Sequence, residues 1–324
     1  KYNSNNNYFI KERKWKNGDT LIQKDLANTL KLIRDEKRKG FYNGEITKKI
    51  IKSLGSESLL SIEDFSSYES IWRKPIISKI NEYKIISMPP PSSGGIALSQ
   101  LIKMLFNFET NNLKHNSVHY IHLLTEIEKL VYADRSKYLG DSDFYKVPIK
   151  KLLNENYLLN QSKKIDLTKA TPSKNINPGN LNYNENEETT HFSIIDFEGN
   201  AVSITTTLNT NFGSKVFVDD LGFLLNNEMD DFSSKPGSPN TYGLIGSEAN
   251  SIAPGKRMLS SMTPTIIEKE DELFLILGSP GGSTIITSVF QTFLNLVLFN
   301  MDIQSAVDEP RFHHQWLPDY IYLE

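Results

Sequence analysis

The most informative run of this sequence is residues 189–213, TTHFSIIDFEGNAVSITTTLNTNFG. Two segments rich in β-branched side chains, 190–196 and 201–207, flank the short segment 197–200, which reads Phe-Glu-Gly-Asn. β-Branched residues favour strands, and a glycine-containing connection of this length is typical of a tight turn. The run therefore predicts a β-hairpin.

The predicted hairpin places one threonine beside polar neighbours. If the turn centres on residues 198–199, antiparallel pairing sets Thr189 opposite Leu208, give or take one residue. Thr207 and Asn209 would then flank Thr189 across the ladder, at a distance that allows side-chain contact. We expect the hydroxyl of Thr189 to lie within reach of both.

The sequence before Thr189 suggests how that hydroxyl could become reactive. From about residue 162 to Glu188 the chain is rich in Lys, Asn, Pro, Gly and Glu, which predicts a surface linker. A threonine hydroxyl is a poor nucleophile without a base, so a threonine at a strand start is usually structural. Cleavage between Glu188 and Thr189 would free an α-amine, with an ordinary pKa of about 8, on the same residue. That amine can serve as a general base.

The composition narrows the class of protein. The chain has 324 residues, 38% of them hydrophobic, and a formal net charge of -3. This length allows one large domain or two smaller ones, and the charge argues against a nucleic-acid partner or an anionic membrane surface. Cysteine is absent, which excludes disulfides and thiolate metal sites. No apolar run reaches the roughly 20 residues of a membrane-spanning helix, so we expect no membrane span.

Periodicity elsewhere predicts a mixture of helices and strands. Residues 1–160 are expected to be helix-rich, and 263–268 and 273–277 are expected to form a second pair of strands. Helices are predicted at 25–36, 96–106, 118–132 and 284–299, the last of them opened by the loop 278–283. We interpret both chain ends as truncations, because the sequence starts at Lys1 without a methionine and stops within a strand-like alternation at Glu324.

Taken together, these motifs resemble the gamma-glutamyltranspeptidases over nearly the whole chain. The similar segments are 189–213, LLNNEMDDF at 224–232, KRMLSSMTP at 256–264, GSPGGS at 278–283, PPPSSGG at 89–95 and YADRSKYLGD at 132–141. The resemblance implies an α/β fold, the four-layer αββα sandwich of the N-terminal-nucleophile hydrolases. It also implies a precursor that cuts itself, with 1–188 as the C-terminal portion of the large subunit and 189–324 as a small catalytic subunit truncated at its C-terminus.

The resemblance assigns the chemistry to a few residues. Thr189 matches the nucleophile, freed by cleavage after Glu188, that attacks the γ-carbonyl of glutathione or another γ-glutamyl compound. Thr207 matches the residue that hydrogen-bonds the nucleophile, and Gly281 and Gly282 match the oxyanion-hole glycines. Adjacent glycines at a helix start expose N–H groups where negative charge develops, so the physical chemistry agrees with that match. The γ-glutamyl ester would then pass to water, an amino acid or a peptide.

The remaining matched residues would hold the zwitterionic end of the glutamyl group. Asp231, Glu228 and Asn209 match positions that bind the α-amino group, a cation for which carboxylates are suitable partners. Ser260 and Ser261 match the serines that bind the α-carboxylate. The lid segment, 236–246, with Tyr242 as its covering aromatic residue, would close over a small substrate such as glutathione.

Several alternatives stay open at this point. A poly-γ-glutamate depolymerase of the same family and an inactive remnant that only binds γ-glutamyl compounds are the competing functions. The family's arginine for the substrate carboxylate lies in a part that precedes this chain. No cofactor or metal is implied, and the histidines at 115, 119 and 122 are interpreted as scaffold. By resemblance we expect a large–small subunit heterodimer in the periplasm or outside the cell.

Overall fold

The computed structural model of the chain describes Phe9, Lys11 and residues 13–176, 189–241 and 243–324. Two residues of the predicted site, Glu188 and Tyr242, lie outside the described residues. Within the described part, no helix has both the length and the apolar character needed to cross a bilayer.

The described residues form both helices and strands. The helices are α1 (Lys24–Glu36), α2 (Arg38–Tyr42), α3 (Glu45–Leu54), α4 (Ile62–Ser67), α5 (Gly94–Leu105), α6 (Val118–Tyr138), α7 (Ile149–Leu152), α8 (Glu155–Ser162), α9 (Ile285–Val297) and α10 (Ile303–Asp308). The strands are β1 (Ile76–Ile80), β2 (Tyr83–Ser87), β3 (Thr190–Ile195), β4 (Ala201–Thr206), β5 (Phe217–Val218), β6 (Phe223–Leu224), β7 (Thr265–Lys269), β8 (Glu272–Leu277), β9 (Phe312–His313) and β10 (Tyr322–Leu323).

Most predicted elements are present, but two pairs of strands were not predicted, β1–β2 and the short pair β5–β6. The predicted hairpin is β3 and β4, and the second predicted pair is β7 and β8. The expectation of a helix-rich region before residue 160 overlooked β1 and β2, an antiparallel hairpin. Each of these strands has only five residues. An alternation that short is weak evidence by itself, because strand stability depends on non-local neighbours.

The first compact unit comprises the described residues of Lys1–Trp72 together with Thr210–Asn227. Its core contains Ile46 and Ile50 from α3, packed with Val218 and Leu221. The hydroxyl of Thr29 in α1 donates to the backbone oxygen of Leu221, 2.9 Å away. Two segments distant in sequence therefore share one core.

The second compact unit, Arg73–Asn209 with Glu228–Glu324, contains a four-stranded antiparallel sheet in the order β1-β2-β7-β8. Helix α5 packs on β1 and β2 and also contacts α6, α8 and α9. Leu98, Leu101, Ile127, Phe290 and Phe293 are all buried in this helical layer. Burying side chains of this size stabilises a fold by about 1.5–3 kcal/mol each, so this layer is a rigid support for the sheet.

The β3–β4 hairpin contacts β7 and β8 in the same unit. The hydroxyl of Ser203 donates to the backbone oxygen of Leu277 at 3.1 Å and accepts from the backbone N–H of Thr265 at 3.1 Å. The ring of His191 lies against Gly278, where an added Cβ would be 2.1 Å from Nδ1. The sheet therefore contacts both helix α5 and the β3–β4 hairpin, and the start of β3 lies close to the loop after β8.

Candidate active site

Thr189 lies at the first position before β3. The register pairs Thr190 with Thr206, which extends to Thr189 opposite Thr207, one residue from the predicted partner. The hydroxyl of Thr189 donates to Oγ1 of Thr207 at 3.4 Å. The same oxygen of Thr207 accepts from the backbone N–H of Asn209 at 2.9 Å. Thr207 is thereby held as a fixed hydrogen-bond partner of Thr189.

The loop after β8 presents two backbone donors. Gly281 and Gly282 both have positive φ, 124° and 52°, a conformation that glycine adopts without strain. Thr284 donates to the backbone oxygen of Gly281 from its N–H at 2.9 Å and from its hydroxyl at 2.7 Å. No described residue accepts a hydrogen bond from the N–H of either glycine. These donors stand at the entry to α9, where the helix dipole also favours negative charge.

A tyrosine from α6 forms a hydrogen bond with the backbone just after the glycine pair. The hydroxyl of Tyr132 donates to the backbone oxygen of Ser283 at 2.5 Å. The hydroxyl of Ser283 donates to Oε1 of Gln315 at 2.7 Å. Tyr132, Ser283 and Gln315 are buried, so these bonds exchange little with solvent and restrain the loop.

Two acidic residues of the short 3₁₀ turn Glu228–Asp231 are the most strongly perturbed groups here. Burial, reinforced by the charge of Glu228, raises the pKa of Asp231 to about 8, although Arg135 and a hydrogen bond from Asn209 oppose the rise. Burial also raises the pKa of Glu228 to about 7. A cation bound beside them would favour their ionised forms. The turn is therefore suited to an ammonium group.

Ser260 and Ser261 lie on the segment that precedes β7. The backbone N–H of Ser260 donates to the carbonyl of Pro91 at 3.0 Å, and its hydroxyl oxygen accepts from the N–H of Met262 at 3.1 Å. The hydroxyl oxygen of Ser261 accepts from Nη2 of Arg135 at 2.9 Å. Both serines line the same pocket and are held by protein donors.

One pocket gathers most of the predicted site. Its predicted lining residues are Thr189, Thr207, Asn209, Asp231, Ser260, Ser261 and Gly282. Glu228 interacts electrostatically with Asp231, and Gly281 precedes Gly282 in the chain. Leu244, from the lid segment, also lines the pocket.

Arg135 is a component of this site that the sequence patterns did not indicate, beyond its place in the motif 132–141. It lines the pocket and is only 4% exposed. A charged side chain buried this deeply in a helix must have polar partners.

Comparisons with known proteins agree with one another. A family model described as gamma-glutamyltranspeptidase matches residues 2–324. The glutathione hydrolase proenzyme of Escherichia coli (strain K12) is 46% identical over 310 residues, covering 95% of this chain and 53% of that protein. The glutathione hydrolase proenzyme of Pseudomonas sp. (strain A14) is 42% identical, covering 99% of this chain and 56% of that protein. This chain thus spans about half the length of the curated relatives it matches.

A solved structure extends the similarity to three dimensions. Cephalosporin acylase from Bacillus halodurans superposes with a TM-score of 0.78 at 25% identity, covering 92% of this chain and 51% of that one. The superposition, together with the mixed helices and sheets described above, confirms the predicted N-terminal-nucleophile class of α/β fold.

Proposed function

This chain belongs to the gamma-glutamyltranspeptidase family, and on that premise we propose that it carries the active site of a self-cleaving γ-glutamyltransferase and glutathione hydrolase. The observation that chiefly supports the proposal is the convergence of Thr189, Thr207 and Gly282 on one pocket with Asp231 and Ser261. The pocket thus combines a hydroxyl, the hydrogen-bond partner of that hydroxyl and a backbone N–H donor. It also holds groups that suit the ammonium and the carboxylate of an amino acid. Together these groups provide what the transfer of a γ-glutamyl group requires.

The first step would be the cut that creates the catalyst. The hydroxyl of Thr189 attacks the carbonyl carbon of Glu188, the C–N bond of that peptide breaks, and the acyl group passes to the threonine oxygen. Water then hydrolyses this ester, which leaves a carboxyl group on Glu188 and a free amine on Thr189. Before the cut the nitrogen of Thr189 belongs to an amide and cannot act as a base, so the uncut chain should be inactive.

The second step would transfer the γ-glutamyl group. The amine of Thr189 accepts the hydroxyl proton while Oγ1 attacks the γ-carbonyl, with Thr207 orienting the hydroxyl. The N–H groups of Gly281 and Gly282 would hold the oxyanion. Collapse breaks the γ-amide C–N bond, and the proton goes to the leaving amine. Water or the amine of an amino acid or peptide then attacks the ester and releases Thr189.

Recognition would depend on the two charged ends of the substrate. Asp231 and Glu228 would pair with the α-ammonium group, with the side chain of Asn209 as an additional partner. The hydroxyls of Ser260 and Ser261 would donate to the α-carboxylate. Glutathione and other γ-glutamyl compounds present both ends on one small group, which fits a pocket bordered by the lid segment.

The two pieces of the cut chain would stay together as a heterodimer of large and small subunits. Support comes from the sheet, in which β2, before the proposed cut, pairs with β7, after it. The compact unit that holds the site likewise includes residues from both sides of position 188. We also propose the periplasm or the cell exterior as its location, which fractionation of the source cells would test.

A single variant tests the proposal. The protein at its natural full length should separate into two bands on a denaturing gel, the smaller beginning Thr-Thr-His, and should hydrolyse L-γ-glutamyl-p-nitroanilide. Thr189→Ala should stay uncut and inactive. Turnover by this variant would exclude Thr189 as the nucleophile, an uncut wild type would indicate a binding remnant, and preference for poly-γ-glutamate over glutathione would indicate a depolymerase.

A further inference from the structure

Arg135 is a buried cation whose hydrogen bonds reach both serines of the site. Its Nε donates to the hydroxyl oxygen of Ser93 at 3.0 Å, and its Nη2 donates to the hydroxyl oxygen of Ser261 at 2.9 Å. Ser93 in turn donates from its hydroxyl to the backbone oxygen of Ser260 at 2.8 Å. One guanidinium therefore restrains Ser261 directly and Ser260 through Ser93.

The donors and acceptors of these groups determine where the hydroxyl protons can point. A hydroxyl has one proton and two lone pairs, whereas a guanidinium can only donate. Because Ser261 accepts from Arg135, its own proton must be directed elsewhere. The hydroxyl oxygen of Ser260 likewise accepts, from the N–H of Met262 at 3.1 Å.

Within the described part of the chain, neither Ser260 nor Ser261 donates its hydroxyl proton to a protein acceptor. Both residues line the pocket. Two adjacent hydroxyls that each accept one hydrogen bond and keep their protons available form a site for an anion, and the buried guanidinium adds positive charge beside it.

We propose that Arg135 is a positioning residue that directs the hydroxyl of Ser261 to donate and holds the backbone of Ser260 through Ser93, and thereby makes the site selective for acyl donors that carry an α-carboxylate. This inference rests on the proposed function. Arg135 acts through the two serines and through its charge, and it forms no part of the bond-making machinery.

The same charge acts on the opposite end of the pocket. Arg135 opposes the rise in the pKa of Asp231, so it favours the carboxylate that would bind the α-ammonium group. A single buried cation would thus support both poles of the glutamyl group, by attraction at one end and by maintaining an anion at the other. Removing it should weaken substrate binding far more than it slows the chemical step.

The test compares two substrates in Arg135→Gln. L-γ-Glutamyl-p-nitroanilide carries the α-carboxylate, and 4-aminobutyryl-p-nitroanilide lacks only that group. For the first, KM should rise about 10- to 100-fold, as expected for charge-assisted hydrogen bonds, with kcat within about threefold. For the second, which depends on Arg135 only through the ionisation of Asp231, kcat/KM should fall at least severalfold less than for the first. Arg135→Lys retains the positive charge but loses the paired N–H donors of the guanidinium, so its KM for the glutamyl substrate should lie between those of the wild type and Arg135→Gln.

Two further variants keep the test decisive if Arg135→Gln folds poorly. Ser93→Ala leaves the arginine in place and removes the hydroxyl that joins it to the backbone oxygen of Ser260, although the N–H of Ser93 still donates to that oxygen. This variant should raise KM for the glutamyl substrate by about threefold, again with kcat maintained. The matched control is Arg311→Gln, which removes an ion pair to Glu324 elsewhere in the same unit. This variant should leave KM and kcat unchanged for both substrates.

The outcomes separate this inference from the proposed function. The positioning role of Arg135 would be overturned if Arg135→Gln and Ser93→Ala each lowered kcat/KM equally for both substrates. A fall in kcat with KM unchanged would also overturn it. If the wild type turns over no γ-glutamyl substrate, or if Thr189→Ala remains active, the proposed function fails. A selective rise in KM alongside an active wild type supports both.

Discussion

Lowering the pH should remove the capacity of this site to capture γ-glutamyl donors, through protonation of Asp231. An aspartate with its ordinary pKa of 3.8 would be ionised across the neutral range, but burial and the charge of Glu228 raise the pKa of Asp231 to about 8. Its ionised fraction should therefore fall from about one half at pH 8 to about one in a hundred at pH 6. If the carboxylate binds the donor's ammonium group as proposed, the Asp231 contribution to kcat/KM should fall roughly 50-fold over that range.

The assay must separate Asp231 from the amine of Thr189, whose ordinary pKa of about 8 lies in the same range. Glutaryl-p-nitroanilide lacks the α-amino group, so the pH dependence of its kcat/KM should follow the threonine amine alone. The ratio of kcat/KM for L-γ-glutamyl-p-nitroanilide to that for the glutaryl substrate reports the two carboxylates proposed to bind the ammonium group, Asp231 and Glu228. This ratio should rise at least about 50-fold from pH 6 to pH 8 in the wild type, but only about tenfold in Asp231→Asn, where Glu228 with its pKa of about 7 titrates alone.

The same titration makes a prediction about stability, with a definite sign. The folded pKa of Asp231 is raised above its unfolded value, so its contribution to stability is fully present below about pH 4 and is lost as the pH rises through about 8. The melting temperature of Asp231→Asn, relative to wild type, should therefore increase between these limits, as measured on protein carrying Thr189→Ala to keep the chain uncut. A wild-type substrate ratio that does not change with pH, or a constant difference in melting temperature, would refute the reasoning.

Three substitutions test the supports of the site. Thr207→Val removes the hydroxyl that orients the nucleophile and should lower kcat about 100-fold and slow the cut, whereas Thr207→Ser should retain most activity in initial-rate and gel assays. Tyr132→Phe removes the 2.5 Å bond to the backbone oxygen of Ser283 and should lower kcat about tenfold at unchanged KM. Gly278→Ala places a methyl group 2.1 Å from Nδ1 of His191, so the free energy of unfolding should fall by about 1–3 kcal/mol in denaturant titrations. Adding His191→Ala should recover most of that loss, and failure to do so would exclude the clash as its cause.

Local sequence pattern was sufficient to predict the hairpin and its consequences. The period-two alternation and the turn at 198–199 determine the register of β3 and β4, and the register alone brings Thr189 within 3.4 Å of Thr207. The glycine pair was assigned by its resemblance to the family motif, and the positive φ of Gly281 and Gly282 explains why glycine suits both positions.

The features that escaped prediction depend on partners far away in sequence. β1 and β2 are short, and β2 is completed by its pairing with β7, almost two hundred residues later. Arg135 acquires its environment from Ser93 and Ser261, which no periodicity in α6 could reveal. The raised pKa of Asp231 likewise results from burial, a property of the assembled pocket and not of the acidic run that contains it.

The organisation of the pocket explains why a chain of this family can be cut beside its nucleophile without losing the site. Arg135 and Tyr132 precede the proposed cut, whereas Thr189 and the glycine loop follow it, and the two sides are joined by side-chain bonds and by the β2–β7 ladder. None of these contacts depends on the peptide bond before Thr189. The proposed cleavage would change the nitrogen of Thr189 from an amide into an amine while the hydroxyl of Thr207 still accepted from the hydroxyl of Thr189. The covalent change is therefore confined to the one atom whose basicity the reaction requires.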